Sequence, residues 1–192
     1  MRSFSPDCDA FFTVPHTKAR QQITTLFLGV KGTLLAKPVY SAYRVLNYVE
    51  PNCLEVSGSH FGEEVHAIAT RSDDARRLAF LIYRHAAADA STKGAACKVA
   101  LKVENLPLES KATLREFRID ARHSDVYAAW EAEGSPAHSA ITADQVKRIK
   151  THDALELAQP ERAVALAKGG TWATTVELEP HAIALLVLTA GN

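Results

Sequence analysis

Residues 124–145, SDVYAAWEAEGSPAHSAITADQ, decide how this chain of 192 residues is read. Asp125 stands where it can cap a short helix that carries Val126, Ala129 and Trp130 on one face, and Gly134 followed by Pro136 stops that helix. A second helix starts at once. Thr142 and Gln145 form an S/T-x-x-E/Q capping box, with Ile141 and Val146 at the N′ and N4 positions of a hydrophobic staple. Both flanks of the stretch read as β. On local physics it is therefore a helical crossover that covers one end of a sheet.

Upstream, from Cys53 onward, the apolar period is two. Leu54–Val56, Val65–Thr70, Leu78–Tyr83, Val99–Val103 and Ala112–Ile119 are short apolar or alternating runs parted by turn-rich segments such as Ser57-Gly58-Ser59 and Arg71-Ser72-Asp73-Asp74. In the 112–119 run, Leu114, Phe117 and Ile119 alternate poorly with Arg115, Glu116 and Arg118, which predicts a bulge. Downstream, Ala163–Ala167, the turn at Lys168-Gly169-Gly170 and Trp172–Leu178 predict a hairpin. Ala182–Leu188 is apolar at nearly every position, the pattern of a central strand covered on both faces. Many short strands joined by polar turns make an antiparallel sandwich or barrel, so the fold class is mainly β with a short helical insert at 124–152.

The N-terminal part differs. Residues 1–21 lack periodicity, Gln22–Val30 reads as a strand, and Pro38 opens a helix on which Val39, Ala42, Tyr43, Leu46 and Val49 share one face, predicted to be buried, until Pro51. A boundary falls near Glu50, where helix gives way to sheet.

Lys plus Arg equal Asp plus Glu at 22 each, so no basic excess points to nucleic acid or an anionic membrane. No apolar run approaches the ~18 residues of a membrane span, and the first residues do not have the charged and apolar regions of an export signal. Cys8, Cys53 and Cys97 lie far apart, with no C-x-x-C and no paired histidines spaced for zinc; each reads as a small buried hydrophobe, and no metal or other cofactor is expected.

The ordered pattern Tyr127, Trp130, Gly134-Ser135-Pro136, Thr142, Gln145 resembles the insert in the C-terminal β-sandwich of glycoside hydrolase family 39, which contains α-L-iduronidases and β-xylosidases. Arg77–Tyr83 resembles the strand before that insert and Ala182–Leu188 the closing strand. Lys37-Pro38-Val39 with Ala42 and Leu46 resembles the last helix of the catalytic barrel in the iduronidase branch. The resemblance covers nearly the whole chain. It implies that residues 1–50 are the last β/α unit of a (β/α)8 barrel (strand, loop and helix) and that residues 51–192 are the sandwich domain. The parent family works in lysosomal or extracellular surroundings, but the compartment of this chain is open.

Retaining glycosidases need two carboxyl groups roughly 5 Å apart across the scissile bond. The resemblance puts both glutamates on barrel strands that have no counterpart here, so no catalytic residue is expected. Glu63-Glu64, Asp73-Asp74 and Glu131 with Glu133 read as solvated surface charge. Asp9-Ala10-Phe11-Phe12-Thr13-Val14-Pro15-His16, then Arg20, resembles the iduronidase loop after the final barrel strand. The likeness implies that Arg20 pairs with a uronic carboxylate, which suits a planar guanidinium. It also implies that His16 stands at the pocket edge and that an acidic side chain just before the Ala-Phe step contacts sugar; the strict match to that position is Cys8, flanked by Asp7 and Asp9. His66 and His85 fall in or beside strands and read as structural, and Trp130 and Trp172 read as core packing.

Two classes of function follow. In one, the chain is the C-terminal region of an iduronidase-like glycosidase acting on O-glycosyl bonds of glycosaminoglycan or xyloside type, inactive without its barrel. In the other, it is a non-catalytic sandwich that binds a glycan or a partner subunit. The Val39/Ala42/Tyr43/Leu46 face discriminates: covered within the chain it needs no partner, and exposed it implies a missing barrel. A new, self-contained enzyme site has no constellation to support it.

Overall fold

The computed structural model describes residues 27–59, 64–85, 95–108, 111–137, 139–167 and 169–191. The strands are β1 (Phe27–Val30), β2 (Thr33–Ala36), β3 (Asn52–Leu54), β4 (Val65–Arg71), β5 (Arg77–Arg84), β6 (Cys97–Val103), β7 (Lys111–Ile119), β8 (Glu156–Leu157), β9 (Arg162–Ala165), β10 (Trp172–Leu178) and β11 (Ile183–Ala190). Helix α1 (Pro38–Leu46) follows β2, and α2 (Val126–Ala132) and α3 (Ala143–Lys150) lie between β7 and β8. Seven strands form one antiparallel sheet in the order β3-β4-β5-β11-β7-β8, with β9 also on β7; β6 and β10 pair as a second sheet.

β11 is central, as its unbroken apolar run predicts. Side chains alternate across a strand, so Ala184, Leu186 and Leu188 face the second sheet while Leu185 and Val187 face α1. Both faces are dry, and all five residues are fully buried. Between the sheets, Phe80 and Leu114 meet Trp172, Val176 and Leu178, with the Phe80 and Trp172 rings 6.2 Å apart. On the other face, Val45 of α1, with Ala42 and Tyr48, packs on Leu81, Phe117, Leu185 and Val187.

The insert forms as its local chemistry dictates. The Asp125 carboxylate accepts from Tyr127 N (2.8 Å) and Ala128 N (3.2 Å), and the Thr142–Gln145 capping box is complete in both directions. Ile141 and Val146 are buried in one cluster with Val126 and Ile149. That cluster closes on Val30 and Leu35 of the β1–β2 hairpin rather than on the sheet end. Asp153, just past α3, accepts from Ala36 N (2.7 Å), and its backbone carbonyl accepts from Arg44 of α1. The insert is thus the seat of the hairpin and the start of α1.

Five expectations are corrected. The strand read at Gln22–Val30 is a hairpin arm over its described residues, Phe27–Val30: Lys31 and Gly32, at φ 45° and 77°, turn the chain into β2, which the sequence reading missed together with the two-residue β8. No bulge interrupts β7, whose register on β11 runs unbroken from Ala112↔Ala190 to Ile119↔Ile183. Its poor alternation arises because Glu116 and Arg118 point inward as a pair while Phe117 and Ile119 are covered from the other side. The predicted hairpin across Gly169-Gly170 does not form: β9 pairs with β7 and β10 with β6, so the turn carries the chain from one sheet to the other. Gly170 is required there, because a Cβ would lie 2.4 Å from Leu106 O. Helix α1 buries Ser41 and Val45, and the stripe read as its buried face is largely exposed. Cys53 is exposed and Cys97 half-buried, both as free thiols; Cys8 lies outside the described residues.

Candidate functional site

At the end of β7 the chain makes a tight corner, with Asp120 N donating to His123 O (3.1 Å) and His123 N to Asp120 O (3.2 Å). The Asp120 carboxylate, nearly buried, also accepts from Arg122 N (2.9 Å) and His123 N (3.0 Å) and lies 2.8 Å from His123 Nδ1. A carboxylate already accepting from two backbone N–H groups is an acceptor at this ring nitrogen too, so Nδ1 carries the hydrogen and Nε2 is the free position. No hydrogen bond from Nε2 to a described residue is present.

Behind this corner, Arg118 donates through Nε (2.9 Å) and Nη2 (2.6 Å) to Glu116 Oε1, and through Nη1 to Glu177 O (2.6 Å), joining the two sheets. Gln159 Nε2 donates to the second Glu116 oxygen (3.0 Å). Arg122 Nη2 reaches Glu179 Oε1 at 3.2 Å across the rim. Arg118, Asp120, Arg122, His123, Ala158, Glu177 and Glu179 line an open cleft of ≈ 450 Å³. No sequence motif marked it, because its walls come from the β7 corner, the stretch after β8 and the end of β10.

The predicted substrate contacts Asp9, His16 and Arg20 lie outside the described residues. Among the described residues, the carboxylates that stand close together in sequence are surface groups with partners or in solvent. Glu64 pairs with Arg84 (2.9 Å), Asp73 accepts from Asn52, and Glu133 takes both arms of Arg148 (2.6 and 2.7 Å). That guanidinium holds the Glu133 carboxyl below its ordinary value. Burial instead pushes the Asp125 carboxyl up, against the pull of its two backbone donors. His66 stacks on Tyr83 (ring centroids 5.0 Å apart), and Trp172 is core, as expected; Trp130 is half-buried, donating Nε1–H to Pro136 O (3.1 Å). No group of three or more His, Cys, Asp or Glu among the described residues is placed to hold a metal ion, and no described helix is long and apolar enough to cross a membrane.

A second feature is apolar. Leu34 of β2 and Tyr43 and Leu46 of α1 are 53%, 48% and 51% exposed, and Val49 continues the stripe. The α1 face that the sequence pattern marked therefore looks outward over most of its length, although Ala42 reaches the sheet.

No family model matches the chain, and no curated protein sequence matches it. Solved structures do. The bacterial orthologue of human α-L-iduronidase aligns with a TM-score of 0.69 at 17% identity, over 83% of this chain and 28% of that one. A GH39 enzyme from Xanthomonas axonopodis pv. citri aligns at 0.64 and 17% identity over 82% and 31%, and a monomeric β-xylosidase from Caulobacter crescentus CB15 at 0.61 and 23% identity over 82% and 31%. The chain has the β-sandwich fold of a glycoside hydrolase. In particular, it has the fold of the C-terminal portion of family 39 enzymes, and it spans under a third of the length of the structures it matches.

Proposed function

We propose that this chain is the C-terminal region of an iduronidase-like family 39 glycosidase, serving hydrolysis of O-glycosyl bonds of xyloside or glycosaminoglycan type through a catalytic barrel of which residues 1–50 supply the last β/α unit alone. The observation that carries this reading is the outward stripe Leu34, Tyr43, Leu46 and Val49 on the hairpin and helix that precede the sandwich. A stripe of this kind, on an element whose opposite side is already packed, calls for a further layer. In this reading residues 1–50 belong to the last β/α unit of the barrel. Arg20 pairs with a uronic carboxylate of the substrate, Asp9 contacts sugar, and His16 stands at the pocket edge. The catalytic carboxylates belong to the barrel, so the isolated chain turns over no glycoside.

A chimera tests this. The C-terminal portion of the Caulobacter β-xylosidase is replaced by this chain, and hydrolysis of an aryl xyloside is measured. The expected result is a folded, active chimera, with Leu46→Asp abolishing activity and Lys98→Glu, on the second sheet, leaving it intact. Turnover of an aryl xyloside or aryl iduronide by the isolated chain would overturn the reading, as would a chimera indifferent to Leu46→Asp. The second reading, a binding module, is favoured by the cleft at the β7 corner.

A further inference from the structure

We infer that the cleft at the β7 corner is a saccharide-binding site of the sandwich itself, taking a neutral sugar through its hydroxyl groups and discriminating against uronates. Three properties of the cleft lead there. Its walls are preorganised: Asp120 is held by two backbone donors and fixes the His123 ring, and the Arg118 guanidinium is locked by Glu116 and Glu177 O. Groups fixed before binding lose little freedom when a ligand arrives. Its volume, ≈ 450 Å³, lies in the range of small-molecule pockets.

The lining selects the ligand. Ala158 is the one apolar residue among the described residues of its lining, so the cleft suits a ligand held by hydrogen bonds rather than by apolar burial. The free valences include acceptors beside the Arg122 donors. His123 Nε2 is open, and Glu179 binds Arg122 through one oxygen only. Acceptors of this kind take hydroxyl donors, and a carboxylate can accept from two neighbouring hydroxyls at once. The charge is on the same side: Arg118 is already matched by Glu116, which leaves Arg122 against Asp120 and Glu179. A uronate carboxylate would meet like charge there. This site is therefore complementary to the pairing proposed for Arg20, and it lies entirely within the described chain.

The choice of saccharide among hydroxylated ligands rests on the glycosidase reading, but the test needs no barrel. The intact chain is titrated with xylotriose and, separately, with the same backbone bearing glucuronic acid, while the His123 ring resonances are followed by NMR. Xylotriose is expected to shift them saturably, the uronate-bearing sugar to bind about tenfold more weakly, and Glu179→Gln and His123→Gln each to weaken xylotriose about tenfold, with melting temperatures unchanged. Unmoved His123 resonances, equal affinity for the uronate, or undiminished binding by either variant would each overturn the inference. None of these outcomes bears on the chimera, whose failure would remove the barrel reading alone.

Discussion

Glu116 and Arg118 stand two residues apart on one strand and form an ion pair inside the sandwich, Oε1 to Nη2 2.6 Å, with both side chains only 10% exposed. Their neighbours on that face are Leu114 and Ala112, so the pair occupies what would otherwise be core. Its remaining polar groups are met by Gln159 and by Glu177 O, and this complete satisfaction is what makes burial of two charges tolerable.

Breaking the pair is predicted to be worse than removing it. Glu116→Ala leaves a guanidinium buried without its counter-charge and should cost about 3–5 kcal/mol, whereas Glu116→Leu combined with Arg118→Met should cost less than either single change. Urea denaturation of the double variant, its two single changes and Glu116→Ala measures the order.

Leu186→Ala should destabilise by about 2–5 kcal/mol, since the side chain is fully enclosed between β5 and β7 at the centre of the sheet. Leu46→Ala, on the outward stripe, should shift the midpoint hardly at all. A comparable loss in the two variants would mean that the stripe is covered within the chain.

Gly170→Ala is predicted to destabilise through two independent causes. The residue sits at φ 69°, where a side chain costs about 1–2 kcal/mol, and its Cβ would lie 2.4 Å from the Leu106 carbonyl oxygen. Gly169→Ala, at φ 85° with nothing near its Cβ, incurs only the first of these. The difference between their melting temperatures isolates the clash.

The pH dependence of the insert follows from Asp125. Burial raises its carboxyl in the folded chain, so the folded state holds the proton more tightly than the unfolded state does. This contribution is fully present below the unfolded value and is lost as pH rises through the raised folded one. Asp125→Asn keeps the cap and cannot ionise, so its melting temperature relative to the parent should be more favourable at pH 7 than at pH 3.5. Asp125→Ala should cost about 1 kcal/mol through loss of the cap.

How much of this could be read beforehand depends on the range of the forces involved. The caps of α2 and α3 and the central place of β11 were legible, because a capping box and an unbroken apolar run are decided within a few residues. The partner of β10 was not: Gly169-Gly170 announces a turn, but Trp172, Val176 and Leu178 are drawn to Phe80 and Leu186, far off in sequence, and that burial sets the pairing. The poor alternation in β7 is visible in the sequence but its cause is not, since an inward ion pair and a bulge leave the same trace in a pattern of apolar letters. The stripe on α1 was recognised as one face, whereas its orientation was fixed by which side the sheet took. The cleft had no trace at all, because Asp120, Ala158 and Glu179 are brought together only by the finished sheets.

The grip of Asp153 on Ala36 and Arg44 has a consequence for where this module can be cut. Glu50 is itself tied back to the sheet, donating its backbone N–H to Thr70 Oγ1 and pairing with Arg77. Severing the polypeptide at the helix-to-sheet junction would bare Phe117, Leu185 and Val187 and unroof the insert together. The smallest transplantable piece accordingly starts ahead of the hairpin, and any recombination that shuffled the sandwich alone would deliver a sticky, half-dressed layer.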